Sequence, residues 1–305
     1  MNMTVNDLIT ILGPTATGKT KLAAALAYEI GAEIISADSR QVYRGMDLGT
    51  GKDIEDFIVN SNSIPYHLID IADPGDEYNL YSFQRDFINA YDDIRGRSKK
   101  AILCGGTGMY LESVILAYDM KEAPINEGLR VELEQLSLED LRERLSSLID
   151  VHNITDTEDR ARLIRSIEIA ESRYQSSDIR SRLEGIDHHV FGISLGREEI
   201  RRRITARLKD RLNGGMLEEI RRLLDSGVKP EQLEFYGLEY KYLTQHVVGE
   251  ITYNDMFQRL NSAIHQFAKR QMTWYRRMEK KGVRVVWIDG NMPMVEKIEE
   301  IRRTL

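Results

Sequence analysis

The 305-residue chain has one cysteine, Cys104, and only six prolines. One thiol cannot close an internal disulfide, which excludes a disulfide-stapled secreted scaffold and fits a reducing compartment. A cysteine-built structural zinc site is excluded on the same count. No apolar run approaches the roughly 18 residues that a membrane span requires. Met1 to Thr10 carries no Lys or Arg ahead of its apolar stretch, unlike a signal peptide. Internal repeats, low-complexity tracts and Pro-rich linkers are all missing. These absences lead us to expect a cytoplasmic protein with no membrane partner.

What is present is a chain with 42% hydrophobic and 30% charged residues and a formal net charge of −7. Its length allows two domains, or one large core with an insertion, and such a core needs no disulfide or metal to fold. Charge is unevenly spread. Arg197 to Arg211 holds seven basic and three acidic residues, and His265 to Lys281 holds six basic and one acidic. The acidic total therefore does not exclude a nucleic-acid partner, because basic charge is concentrated in the C-terminal third.

The first 120 residues read as strands alternating with helices. Leu8 to Leu12, Glu33 to Ser36 and Ala101 to Cys104 are short apolar strands, and Leu22 to Ile30 has helical spacing. Nearly all-apolar strands separated by helices predict a parallel sheet covered on both faces. From about Lys121 the character changes. Leu129 to Tyr174 is charged, glycine-poor and helical in period, with Leu138, Leu141, Leu145 and Leu148 three or four apart. We expect a helical insertion domain over 121–188, within a core of 1–120 and 189–305. His189 to Leu195 and Val283 to Asp289 are the returning strands.

Gly13-Pro14-Thr15-Ala16-Thr17-Gly18-Lys19-Thr20 fits the pattern G-x-x-x-x-G-K-[ST], with a strand before it and a helix after it. Glycines let successive amides turn inward onto phosphate oxygens, and the helix N-terminus adds its dipole. Lys19 would neutralise phosphate charge, and the Thr20 hydroxyl would ligate Mg²⁺. The fold class is therefore α/β, a P-loop NTPase-like parallel sheet. The motif alone leaves ATPase, kinase and pyrophosphate-releasing transferase open. Asp70 suits either a metal-water ligand at a strand end or a cap on the following turn. Asp38 lies just beyond the second strand, where open parallel sheets bind ligands. It suits a proton acceptor, a metal ligand or a helix N-cap.

Four blocks then carry a resemblance. The phosphate loop, Asp38-Ser39-Arg40-Gln41-Val42-Tyr43-Arg44-Gly45-Met46-Asp47, Gly105-Gly106-Thr107-Gly108-Met109-Tyr110 and Ala268-Lys269-Arg270-Gln271-Met272-Thr273-Trp274-Tyr275-Arg276 resemble, in order, the tRNA dimethylallyltransferase family. The resemblance implies transfer of a dimethylallyl group from dimethylallyl diphosphate to N6 of adenosine 37, with pyrophosphate leaving. It implies a diphosphate held by Gly13 to Thr20, Arg203 and Arg207, with Arg203 the first choice of the two, and Mg²⁺ on Thr20. Asp38 matches the general base, and Thr107 a hydroxyl at the reacting centre.

For the tRNA anticodon stem-loop the resemblance implies contacts from Asp38, Ser39, Arg40, Gln41, Thr107, Lys269, Arg270, Gln271, Trp274 and Arg276. Arg130, Arg162 and Arg165 would grip it from the insertion. A monomer is expected. The chain departs from the family pattern at Gly49-Thr50-Gly51-Lys52-Asp53, at Phe235 to Leu243 and at Ile264 to Phe267, which bears on which tRNAs are read. An adenylate isopentenyltransferase acting on free AMP, ADP or ATP is the alternative. A P-loop kinase or ATPase with an Arg-rich lid is the alternative from another class.

Overall fold

Asp7–Leu12 form strand β1, and all six residues are buried, as a central parallel strand requires. The computed structural model describes residues 7–120, 122, 123, 125–149, 160–172 and 178–305. Met1 to Asn6, the change of character at Lys121 and the end of the helical period at Tyr174 lie outside the described residues.

After β1 come α1 (Lys19–Ile30), β2 (Ala32–Ser36), a 3₁₀ turn (Ile54–Phe57), a small hairpin of β3 (Ile58–Val59) and β4 (Asn62–Ser63), and β5 (Tyr66–His67). Next are α2 (Leu80–Gly96), β6 (Lys100–Gly105) and α3 (Gly108–Ile115). The six-stranded sheet runs β5-β2-β6-β1, then β7 (Asp187–Ser194) and β8 (Val285–Asp289), with every neighbouring pair parallel. α1 packs on β2 and β6, and so does α2. Ile9 and Ile11 alternate onto one face with Leu22, Leu26, Ile102 and Phe191, as the pleat dictates.

α1 starts three residues before the expected Leu22. Gly18, at φ 83°, is its N-cap, so the helix opens inside the phosphate loop. The strand ahead of Asp70 has only two residues, Tyr66–His67. Leu68 and Asp70 take φ values of 62° and 56°, outside the extended region that a strand needs. β7 begins at Asp187 rather than His189, because Asp187 and His188 already pair with β1. The last strand starts at Val285, two residues later than expected.

Two compact units divide the chain. One holds the residues up to Tyr118 and from Ser181 onward; the other is Asp119–Arg180. In the second, α4 (Glu127–Glu134), α5 (Leu138–Leu148) and α6 (Arg160–Glu171) enclose Leu133, Leu141, Leu145, Leu163 and Ile167. Ser137 and Asp140 form a capping box at the start of α5. α7 (Ile179–Glu184) precedes β7. A helical layer follows of α8 (Arg197–Asn213), α9 (Met216–Asp225), α10 (Pro230–Phe235), α11 (Leu238–Val247) and α12 (Tyr253–Lys280), and α13 (Met294–Thr304) ends the chain. Ile204, Leu208, Ile220, Leu233, Tyr240, Leu243, Leu260 and Ile264 join the five layer helices in a second core. Among the described residues no helix is long and apolar enough to cross a membrane.

Candidate active site

At the carboxyl ends of β1, β2 and β6 the first unit opens into a cleft of about 610 Å³. Parallel sheets bind ligands there because the loops leaving neighbouring strands converge. The loop after β1 supplies Thr15 and Lys19, the loop after β2 Asp38 to Gln41, and the turn after β6 Gly105 to Gly108. From the helical layer come Arg207 and Arg211 of α8, Phe235 and Glu239 around α10 and α11, and Arg270, Gln271 and Trp274 of α12.

The phosphate loop is held by its own groups and by α12. Gly13 is at φ 155°, and a Cβ there would sit 2.9 Å from the Ile193 carbonyl oxygen. Thr17 Oγ1 and Lys19 Nζ both donate to the Pro14 carbonyl at 2.8 Å. The Thr15 amide donates to Gln271 Oε1 at 2.9 Å, and Gln271 Nε2 donates to the Gly106 carbonyl at 2.9 Å. Tyr275 Oη bridges the Gly13 and Gly106 carbonyls at 3.1 and 3.2 Å. Gln271 therefore ties two loops together, instead of reaching outward as an RNA contact would.

Asp38 follows β2, and its Oδ1 accepts from the Arg40 amide at 2.9 Å. Thr107 Oγ1 accepts from the Ser39 amide at 3.0 Å, so a hydroxyl from the β6 turn fixes the loop that carries Asp38. Gly105 lies so close to Ala37 that no Cβ fits. Gln41 accepts from Ser36 Oγ at 3.2 Å and donates to the Gly51 carbonyl at 3.0 Å. The Arg40 guanidinium lies 5.4 Å from the centre of the exposed Phe235 ring.

Burial pushes the Lys19 ammonium down to about 8. Arg207 pushes the same way, while Cys104 and Asp38 oppose it. Burial also pushes the Cys104 thiol up to about 12, so it stays protonated and unreactive. Lys19 is charged below pH 8 and increasingly neutral above. A diphosphate on this loop, which the resemblance implies, would favour the ammonium and take up a proton in that range. Pyrophosphate affinity, relative to a Lys19→Arg variant in the same buffers, should fall by up to about tenfold per unit as pH rises above 8. Titration calorimetry at pH 7 to 9.5 measures the ratio. A constant ratio overturns the expectation.

The loop Asp47 to Gly49 is held from beneath. Glu219, only 3% exposed, accepts from the amides of Asp47, Leu48 and Gly49 at 3.0, 2.8 and 3.0 Å, and from Tyr240 Oη at 2.6 Å. Further along, Asp53 receives Arg207 Nη2 at 2.8 Å and Arg211 Nη2 at 2.9 Å, and Arg207 Nη1 lies 3.4 Å from Thr15 Oγ1. Burial would raise the Asp53 carboxyl, but the two guanidiniums hold it below its usual range. Neither Glu219, Asp53 nor Arg211 was expected. The signal for Glu219 is its place among Met216, Ile220 and Leu223 on the apolar face of α9.

Of the expected residues, Thr15, Lys19, Asp38, Ser39, Arg40, Gln41, Thr107, Arg207, Arg270, Gln271 and Trp274 share the cleft. Arg203, the first choice for the diphosphate, is not in its lining. Its Nε donates to Glu199 at 2.6 Å and its Nη2 lies 3.5 Å from Asn291 Oδ1. Thr20 stands in the first turn of α1 and is likewise outside the lining. Lys269 and Arg276 are exposed on α12, and Arg162 is exposed on α6. Arg130 and Arg165 turn to the buried Glu168, with Arg130 Nε at 2.8 Å and Arg165 Nη1 at 3.1 Å. A buried carboxylate claims such guanidiniums because it has no water to solvate it. Asp70 takes neither expected role. It pairs with the buried Lys52 ammonium, which also reaches Asp47 at 3.1 Å.

A parallel sheet with a phosphate loop after its first strand, and with a carboxylate and a hydroxyl on the neighbouring loops, defines a P-loop protein built for group transfer. The chain belongs to the IPP transferase family of prenyltransferases. That family's model matches residues 41–278, and the isopentenyl transferase model matches residues 6–64. The chain is 54% identical to a tRNA dimethylallyltransferase 2 of Bacteroides fragilis, over all of this chain and 99% of that protein. It is 50% identical to a tRNA dimethylallyltransferase 1 of Parabacteroides distasonis, over 98% of this chain and 97% of that protein. Among solved structures it is similar to the full-length tRNA isopentenylpyrophosphate transferase of Bacillus halodurans, with a TM-score of 0.70 and 30% identity over 98% of this chain and 95% of that one. A eukaryotic dimethylallyltransferase acting on tRNA shares the fold at a TM-score of 0.75 and 23% identity, over 93% of this chain and 74% of that one.

Proposed function

We propose that the protein transfers the dimethylallyl group of dimethylallyl diphosphate to N6 of adenosine 37 in tRNA. The bond from N6 to C1 of the prenyl group forms, the bond from C1 to the diphosphate oxygen breaks, and the N6 proton passes to the Asp38 carboxylate. Pyrophosphate leaves from the phosphate loop, where Lys19 and Arg207 stabilise the charge that builds on it. Thr107 holds the Asp38 loop in register. The observation that carries the reading is the convergence of Lys19 and Asp38 on one cleft, a diphosphate site beside a proton acceptor.

Diphosphate-using transferases of this class take a divalent cation, and Mg²⁺ is the ion we infer. Among the described residues no three His, Cys, Asp or Glu side chains cluster as a metal cage. Thr20 stands in the first turn of α1, directly after the phosphate loop, so its hydroxyl would be the protein ligand of an ion otherwise held by substrate phosphates and water. Bound there, Mg²⁺ would draw off charge from the departing diphosphate.

The exposed Lys269, Arg270 and Arg276 of α12 suit an RNA backbone rather than a free nucleotide, and the exposed Phe235 offers a plane on which an unstacked base can rest. Arg162 would add a backbone contact from the second unit. Radiolabelled dimethylallyl diphosphate offered to tRNA, to AMP or to no acceptor tests the reading. Label should move to tRNA. Transfer to AMP alone makes the protein an adenylate prenyltransferase, and transfer to neither removes the proposal.

A further inference from the structure

We propose that Arg211 is a second guanidinium on the departing diphosphate, and that Asp53 is the positioning residue that holds Arg207 and Arg211 as a pair and sets how tightly pyrophosphate is kept. The inference rests on the diphosphate reading above and deepens it.

The pair is built into the fold. Arg207 and Arg211 stand one helical turn apart on α8, so their side chains share a face. Like charges so placed repel unless an anion lies between them. Asp53 is that anion, with Arg207 Nη2 at 2.8 Å and Arg211 Nη2 at 2.9 Å and 3.0 Å from its two oxygens. Room for the two forks comes from Gly51, at φ 76°. A Cβ there would meet Arg211 Nη2 at 2.6 Å and Arg207 Nη2 at 2.9 Å.

With both forks anchored on Asp53, Arg207 Nη1 is left turned to Thr15 of the phosphate loop at 3.4 Å. Both arginines also line, with Thr15 and Ala16, a small recess against that loop. A phosphate oxygen arriving on the loop therefore meets two guanidiniums and one carboxylate. Glu239 lies on the same wall, where burial raises its carboxyl above the usual range. Two guanidiniums set against the single Asp53 carboxylate leave that trio with one net positive charge. Asp53 competes with phosphate for the same donors, so it weakens the grip on the product and lets it leave.

Titration of pyrophosphate in a magnesium-containing buffer tests this on the full chain. Arg211→Met should weaken binding about tenfold, the worth of a charge-assisted bond. Asp53→Asn should tighten it about fivefold, as an exposed pairing charge allows. Asp53→Asn should also lower steady-state turnover, because pyrophosphate is kept longer. A merely structural Asp53 would give the opposite sign, because a disordered site binds worse. If Arg211→Met fails to fold, Arg211→Lys should still weaken binding, since an ammonium cannot fork. Unchanged affinity in the arginine variant, or unchanged or weaker affinity in Asp53→Asn, overturns the inference. A wild-type protein that neither binds pyrophosphate nor prenylates RNA overturns the diphosphate reading itself.

Discussion

Asp38→Asn should lower single-turnover transfer to tRNA by about 10²- to 10⁴-fold, the range over which a positioned proton acceptor contributes, with RNA affinity little changed. Asparagine has the shape of aspartate, and its carbonyl can still accept from the Arg40 amide, now 2.9 Å from Asp38 Oδ1. The loop and its tie to Thr107 therefore survive. What is lost is the second oxygen's capacity to take a proton from an amine that attacks poorly while it keeps it. Rates at saturating RNA, together with filter binding of the same RNA, separate the two effects. A variant retaining more than about a tenth of the rate would remove Asp38 from the chemistry.

Glu219→Ala should strongly destabilise the fold, although Glu219 lies outside the cleft. Four donors converge on this carboxylate, three backbone amides and the Tyr240 hydroxyl, all within 3.0 Å. Alanine leaves them facing a small void. Each stranded donor costs about 1–3 kcal/mol, and the four together, eased by relaxation, are expected to cost about 3–5 kcal/mol. The melting temperature should fall on the order of 10 °C. Tyr240→Phe removes only one donor and should cost about 1 kcal/mol. Tyr240 cannot act by ionising, because burial and the neighbouring carboxylate raise its hydroxyl far above the working range. Glu219→Gln should fall between the two. The Asp47 to Gly49 loop leads directly to Asp53, so pyrophosphate affinity should fall with the same variant. Equal melting points for Glu219→Ala and wild type would show that the loop is held by other means.

The parallel sheet and its phosphate loop were legible because their signals are local. β-branched runs, a glycine pattern and an alanine-rich helix sit side by side in the chain. The cleft was legible only in part. Arg203 and Arg207 share a helix face, and spacing cannot say which turn meets the loop. Glu199, four residues before Arg203, captures that arginine, whereas Asp53, over a hundred residues away in sequence, captures Arg207. The same holds for Arg130 and Arg165. Glu168 lies between Ile164 and Ile167 on one side and the α4 arginine on the other, so its burial in the second unit's core depends on tertiary packing. Lys52 and Asp70 were hidden for a related reason. Eighteen residues separate them, and only the left-handed backbone at Asp70 brings its carboxylate to the buried ammonium.

α12 is one unbroken rod of 28 residues, about 42 Å long at the usual rise. In its second half Gln271 occupies the Thr15 amide, one of the donors that a phosphate would claim. Residues on either side of that glutamine, Arg270 and Trp274, face the cleft. A phosphate that takes the Thr15 amide competes for it with Gln271, on the helix that also carries Arg270 and Trp274 into the cleft.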